Sequence, residues 1–336
     1  MRAMVLENCI EMGPDAEPLV MRDMPRPTPA KNEILIEVSV CGVCHTELDE
    51  IEGRTPPDHF PIIPGHEVVG LVAKLGRGST RFGIGERVGV GWIHSSDGSD
   101  EENLSPAFCA TGRDVNGGYA EFMTVSENYA YPIPEAFDDP QAAPLLCAGS
   151  IGYRALKLAQ IDDGQTLGLT GFGGSGHLVL QLARHLYPNS DIYVFARSDV
   201  EQEFARELGA NWSGDTDAAP PSLLDAIIDT TPAWKPVLAA LARLKPGGRL
   251  IINAIRKQDD DRELLSSLRY EEHLWLEKEL KSVANITHRD IREFLPVAAQ
   301  IPISVETECF ALEDANVALR GLRAGQLRGA KVLSIK

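Results

Sequence analysis

The sequence predicts an α/β protein of two domains, one β-rich and one a doubly wound parallel sheet flanked by helices. Three observations predict it. The chain has 336 residues, more than one hydrophobic core usually holds. Apolar residues alternate at period two in several short runs within residues 1–130. From Ile151 onward, strand-like and helix-like stretches take turns instead.

In order, Ile34, Ile36, Val38 and Val40 alternate with Leu35, Glu37 and Ser39, the pattern of a strand with one buried face. Residues 68–74 and 86–91 share that texture, and Gly76, Gly78, Gly83 and Gly85 between them are turn formers. Short strands at this spacing make a compact barrel or sandwich, placed over residues 1–150. Pro25, Pro27 and Pro29 form an extended lead-in.

Residues 166–170 are a short strand that ends at Gly171-Phe172-Gly173-Gly174-Ser175-Gly176. Residues 178–186 carry apolar side chains at helical spacing, and residues 192–195 make a second strand. Ser198-Asp199-Val200-Glu201 has the form of a capping box opening a helix through residue 208. Residues 226–228 are a third strand and 234–244 a helix, after which Pro246-Gly247-Gly248 turns into a strand at 250–253. This series makes residues 151–287 a parallel sheet with helices on both faces. In the tail, Thr287-His288-Arg289-Asp290 caps a helix to residue 300, and residues 306–310 and 331–335 read as strands. Residues 288–336 would return to complete the first domain.

A hydrophobic content of 43% with 24% charged residues is that of a soluble globular protein. No apolar run approaches the ~20 residues that cross a bilayer. The start, Met1-Arg2-Ala3-Met4-Val5-Leu6, soon meets Glu7 and Glu11, unlike a signal peptide, so a cytoplasmic location is expected. A net charge of −17 excludes nucleic acid and anionic membranes as partners. It also opposes an anionic cofactor, so any phosphate site must supply its own positive field. The acidic runs 97–102 and 258–263 read as solvated loops. Cys9, Cys41, Cys44, Cys109, Cys147 and Cys309 are spread along the chain, which favours metal or core roles over disulfides.

The glycine turn follows a strand and opens a helix, the context a dinucleotide-binding turn needs. Gly171 allows the tight turn, Gly173 the approach of a pyrophosphate, and Gly176 close packing of helix on strand. With Gly174 and Ser175 they form the expected phosphate cradle at a helix N-terminus. His177 is placed near solvent or phosphate. An NAD-preferring turn carries an acid about 20 residues further on. Here that position is Ala196, followed by Arg197 and Ser198. A guanidinium with a hydroxyl suits a 2′-phosphate, so NADP(H) is expected over NAD(H).

A second constellation is Cys41-Gly42-Val43-Cys44-His45-Thr46 and, twenty residues on from Cys44, Pro64-Gly65-His66-Glu67. A thiol, an imidazole and a carboxylate suit a zinc ion that polarises an oxygen. The spacing is too long for a zinc finger, so the fold must bring the ligands together, with Cys147 as a candidate third soft ligand.

Together with Gly117-Gly118-Tyr119-Ala120-Glu121, Leu146-Cys147-Ala148-Gly149 and Leu327-Arg328-Gly329, these segments resemble the zinc-dependent alcohol dehydrogenases of the medium-chain dehydrogenase/reductase superfamily. The likeness is greatest to the propanol-preferring bacterial branch. It implies a GroES-like catalytic domain and a Rossmann domain, with the active site in the cleft between them. It puts the catalytic zinc on Cys44, His66 and Cys147, with Glu67 as a fourth ligand that yields to water or substrate. The zinc acts as a Lewis acid on the substrate oxygen while hydride passes to or from the nicotinamide. Thr46 takes the alcohol proton. The relay then normally reaches a histidine three residues later, but Asp49 stands there, and a carboxylate is a poorer acceptor at neutral pH. Arg328 matches the residue that reaches the pyrophosphate, and Cys41 is assigned to packing.

The chain departs from the family after Trp92. Where a second, structural zinc would have four closely spaced cysteines, the chain reads Ser95-Ser96-Asp97-Gly98-Ser99-Asp100-Glu101-Glu102-Asn103-Leu104-Ser105, and Cys109 alone makes no thiolate cage. One catalytic zinc and no structural zinc are therefore expected, and the family's usual assembly is in doubt, although a homo-oligomer, dimer or tetramer, is still expected. Trp92 aligns with a cleft-lining aromatic, which favours a small or medium alcohol or aldehyde. The rivals are a zinc-free quinone or enoyl reductase on the same fold and a nucleotide-binding protein without turnover. Intact ligands and Thr46 argue against both.

Overall fold

A computed structural model describes residues 1–301, 303–325 and 329–336. The chain divides into two compact units. One comprises Met1–Ser150, Asn285–Ala299 and Val305–Lys336; the other comprises Ile151–Ala284 and Gln300–Ser304. Among the described residues, no helix is long and apolar enough to cross a membrane.

The first unit is organised by the strand Glu33–Val43. On one side it pairs antiparallel with Val68–Leu75. On the other, its first half pairs with Phe122–Ser126 and its second half with Ala330–Ser334. The seven-stranded sheet continues through Arg87–Val90 to Ala130–Pro132 at one end and to Thr307–Ala311 at the other. Register shifts near Ile36 and Val38 add the bulges that let a long strand curl. Cys41 faces Val68 across this pairing, so the end of the first strand lies against the start of the second. Cys44, just past one strand, and His66-Glu67, just before the other, therefore share one end of the sheet.

The lobe after Trp92 differs from the solvated loop predicted. Asp97, Asp100 and Glu101 are exposed, but Glu102 is fully buried. Its carboxylate accepts from Tyr129 Oη at 2.9 Å and from the backbone N–H of His288 at 2.5 Å, with His288 Nδ1 at 2.6 Å. The Tyr129 hydroxyl in turn accepts from Ser96 N–H at 3.0 Å. A carboxylate hub thus ties the lobe to the first turn of the helix His288–Gln300. Asp290 and Thr287 bond reciprocally at that helix start.

The second unit is a six-stranded, wholly parallel sheet. Its order is Trp212–Gly214, Ile192–Phe195, Leu167–Thr170, Leu224–Asp229, Leu244–Ile252 and Glu279–Ser282. This is the doubly wound arrangement predicted, and the order reverses at Leu167–Thr170, where the chain leaves for the glycine turn. Three elements depart from the sequence reading, the first being the short strand Trp212–Gly214, which it does not include. The strand Leu244–Ile252 already pairs before Pro246-Gly247-Gly248, because a register shift between Leu224 and Ala226 absorbs the turn as a bulge. The strand Glu279–Ser282 was not foreseen; all its residues are exposed, so it lacks an apolar alternation. In the run 258–263, Asp261 is likewise not merely solvated, because its carboxylate accepts from the N–H groups of Trp234 and Lys235 at the start of the helix Lys235–Arg243.

Candidate active site

Cys44 caps the helix His45–Ile51 immediately after the central strand. His66 and Glu67 precede Val68–Leu75, and Cys147 follows the short helical turn Ala143–Leu146. The ligand atoms of Cys44, His66, Glu67 and Cys147 all lie within 4.8 Å of one another. His66 and Glu67 are buried and both sulfurs are partly buried. The Glu67 carboxylate occupies the space beside Gly42, where a Cβ would come within 1.8 Å of its Oε2.

The two sulfurs stand 3.9 Å apart. That is far from a disulfide, and close to the ~3.8 Å spanned by two ~2.3 Å metal–sulfur bonds at a tetrahedral angle. His66 Nδ1 lies 2.5 Å from Glu47 Oε1, and the other ring nitrogen, Nε2, is buried with no hydrogen-bond partner. Glu47 Oε2 meanwhile accepts from the Cys44 N–H at 2.8 Å. One carboxylate thus holds the ring of one donor and the backbone of another. Two soft sulfurs, an imidazole with its second nitrogen unengaged and a neighbouring carboxylate fit a zinc-like cation.

Electrostatics point the same way. The Cys44 thiol is held well below its usual value, first by the bond from Cys147, then by His66, with burial opposing. The Cys147 thiol is pushed well up because it supplies that bond, and by burial. Burial works against a charged His66, but Glu47 and Cys44 hold its proton on, well above the ordinary histidine value. Burial, then the Cys44 thiolate, pushes the Glu67 carboxyl well up. A divalent cation bound among these donors would compete with the protons they hold.

Thr46 is buried, with its Oγ1 3.6 Å from Cys44 Sγ. Asp49 is not exposed. Its residue is 1% exposed and its Oδ1 accepts from Arg54 Nε at 2.6 Å. Trp92 packs near His66, ring centroids 6.0 Å apart. His45 is exposed, and Cys41 is fully buried, its thiol pushed well up by that burial.

In the second unit the three glycines differ as their chemistry requires. Gly171 has φ +82° and a Cβ there would meet Thr230 Oγ1 at 2.7 Å; at Gly176 it would meet the Gly171 carbonyl at 2.6 Å. At Gly173 it would meet nothing within 4 Å, the open side from which a phosphate can approach. Gly174 completes the loop, and Ser175 caps the helix Gly176–Leu186 without a side-chain bond. His177 is buried, not near solvent: Nδ1 lies 3.0 Å from the Gly173 carbonyl and the ring packs on Phe204. Arg197 is exposed just past the strand Ile192–Phe195. Ser198 is already engaged as a helix cap, its Oγ accepting from Glu201 N–H at 3.2 Å and donating to Glu201 Oε2 at 3.0 Å. Only half of the capping box forms, since the Glu201 side chain meets the Ser198 hydroxyl, not its backbone. Arg328 lies outside the described residues.

Sequence reasoning missed Glu47. Its signal was local: an acid three residues after Cys44, the capping-box spacing at a helix start. It also missed Glu50, whose two carboxylate oxygens are buried with no hydrogen-bond partner and whose pKa burial, then Glu47, pushes well up.

Comparison with known proteins bears on this arrangement. Residues 30–135 match the alcohol dehydrogenase GroES-like domain. Over 335 residues the chain is 40% identical to a probable alcohol dehydrogenase AdhA of Mycobacterium tuberculosis, covering 96% of this chain and 95% of the relative. It is 34% identical over 242 residues to a probable cinnamyl alcohol dehydrogenase 8A of Oryza sativa, covering 66% and 67% of the two. Its fold is similar to that of the Sorghum bicolor cinnamyl alcohol dehydrogenase SbCAD4, with TM-score 0.84, 25% identity and coverage of 99% and 97%. It is also similar to that of the Aeropyrum pernix alcohol dehydrogenase, with TM-score 0.85, 22% identity and full coverage of both chains (100%).

Proposed function

The chain belongs to the medium-chain, zinc-type alcohol dehydrogenase family, and from that membership we propose that it moves hydride between NADP(H) and a small or medium alcohol or aldehyde. Residues 1–150 with 288–336 would form the catalytic domain, and 151–287 the dinucleotide-binding one. The observation that carries the reading is the convergence of Cys44, His66, Glu67 and Cys147 within 4.8 Å. Cys44, His66 and Cys147 would hold a zinc ion, with Glu67 as a fourth donor, and the ion would supply Lewis acidity to the substrate oxygen.

The chain's own residues do the rest. Thr46 takes the alcohol proton through its hydroxyl, and Asp49, one helical turn on, is the next station. Its engagement with Arg54 makes that second transfer the weaker part of the relay. Glu47 fixes the His66 ring so that Nε2 faces the donors. Trp92 walls the substrate side and favours a compact substrate. Gly171, Gly173, Gly174, Ser175 and Gly176 take the pyrophosphate on backbone N–H groups, with Arg328 as a further phosphate contact. Arg197 selects the 2′-phosphate; Ser198, committed to its helix, contributes less than its position in sequence implies. Assembly into a dimer or tetramer is supported by the edge strand Glu279–Ser282, where Leu280 is 48% and nearby Trp275 53% exposed.

Two measurements test the reading. Elemental analysis should find about one zinc per chain, as a single open site requires. A panel of alcohols and aldehydes run with both cofactors should give turnover fastest with NADP(H). Quinone or enoyl reduction by zinc-free protein would move the assignment to the rival reductase. Glu47→Gln should weaken zinc affinity about 10–100-fold, since the imidazole loses the anionic partner that orients it. Competition with a chromogenic chelator reads that loss, and unchanged affinity would take Glu47 out of the metal site.

A further inference from the structure

We infer that Lys257 and Asp229 form a neutralising pair beneath the glycine turn, with Lys257 acting through Asp229 as a positioning residue for the dinucleotide pyrophosphate. The inference rests on the cofactor reading above. Asp229 ends the strand Leu224–Asp229 and is the register partner of Thr170, the last residue before the turn. Its carboxylate is fully buried and is a hub. Oδ1 accepts from Thr170 Oγ1 at 2.6 Å, Thr231 Oγ1 at 2.7 Å and Thr231 N–H at 3.2 Å. Lys257 Nζ pairs with Oδ2 and donates to the carbonyls of Thr231 at 2.7 Å and Ala233 at 3.1 Å, so its three donors are all used. Its side chain is only 9% exposed. Thr230, the next residue after the hub, donates to the Thr170 carbonyl at 3.0 Å and fills the space against Gly171. The hub thus fixes both the residue that enters the turn and the residue that shapes it.

The hub is also an electrostatic hazard. A buried carboxylate is poorly screened, and one seated at the foot of a phosphate cradle repels the phosphates it should admit. Residues 171–176 contain no lysine or arginine, and the whole chain carries −17. Lys257 cancels the charge of Asp229 at contact distance. The backbone N–H groups and helix N-terminus are then left as the net field that an incoming pyrophosphate meets.

A pair that merely staples the fold and a pair that neutralises a phosphate site make different predictions. Lys257→Met and Asp229→Asn both break the ion pair, and both should lower the melting temperature. NADPH affinity, read by nucleotide fluorescence on the full chain, should separate them. Lys257→Met should weaken it by roughly tenfold or more, the effect of an uncompensated charge at short range. Asp229→Asn should bind as tightly as wild type or tighter, because its Oδ1 still accepts from Thr170 and Thr231 while Lys257 remains. The double variant, which buries no lone charge, should recover most of the loss, and it carries the test if Lys257→Met does not fold. Equal weakening in both single variants, no weakening in Lys257→Met, or weak binding by the double variant would overturn the inference. Wild-type protein that binds neither NADPH nor NADH would instead overturn the cofactor reading on which it rests.

Discussion

Cys44→Ala is expected to cost about a thousandfold or more in kcat/KM, since Lewis-acid stabilisation of an oxygen is worth several kcal/mol. NADPH affinity should stay within about twofold, because sites that share no partners couple by only ~0.3–0.5 kcal/mol. Cys44 supplies one of two sulfurs 3.9 Å apart, and no other thiol stands ready to replace it: Cys41 is turned into the core. Losing the sulfur leaves His66, Glu67 and Cys147 with an incomplete shell. The glycine turn and Arg197 belong to a different compact unit and share no residue with the cluster. Three readouts separate the causes: zinc by elemental analysis, turnover, and fluorescence of bound NADPH. Full turnover in the variant would remove Cys44 from the chemistry. Lost turnover with zinc fully retained would leave it a role other than ligand.

Much of the fold was legible because its signals are local. The alternation around Ile36 and Val38 is read directly from the chain, and so is the strand–glycine–helix order at Gly171. The edge strand Glu279–Ser282 was not legible, since a strand with no buried face has no apolar period to show. The bulge that makes Pro246-Gly247-Gly248 part of a strand depends on a partner twenty residues upstream, and composition alone reads it as a turn.

The site divides in the same way. The motifs name donors, but not the carboxylates that hold them in place. Glu47 looks like a helix residue until its two oxygens are found on His66 and the Cys44 N–H. Glu102 sits in a run of exposed acids and is distinguished only by three donors that reach it from Tyr129 and His288, far along the sequence. Asp229 ends one strand, and Lys257 lies in the segment that follows another. Each is a buried charge whose cost is met only in three dimensions, so pattern reading assigns it by default to solvent. Asp49 is the mirror case: its place in a relay is read from the family resemblance, while its contact with Arg54 exists only in the fold.

Arg197→Asp is expected to lower the ratio of kcat/KM with NADPH to that with NADH by about two orders of magnitude. A charge-assisted guanidinium–phosphate contact contributes roughly 1.5–3 kcal/mol, or about 10–150-fold, and an aspartate both removes it and repels the 2′-phosphate. The same aspartate can accept from the 2′-hydroxyl of NADH, so the numerator falls while the denominator rises. The position suits the experiment. Arg197 is exposed just past the strand Ile192–Phe195, so the exchange opens no cavity, and stability should change by less than about 0.5 kcal/mol. The neighbouring Ser198 hydroxyl is held by Glu201. Glu201 already adds negative charge there. If the guanidinium holds the phosphate, it does so against that local field, and inverting its charge should reverse the preference outright. Initial rates with each cofactor at one saturating alcohol measure the ratio. A ratio unchanged by the exchange would place Arg197 in solvent and leave NADP(H) selection without a residue. A wild type already favouring NADH would overturn the assignment of Arg197 to a 2′-phosphate.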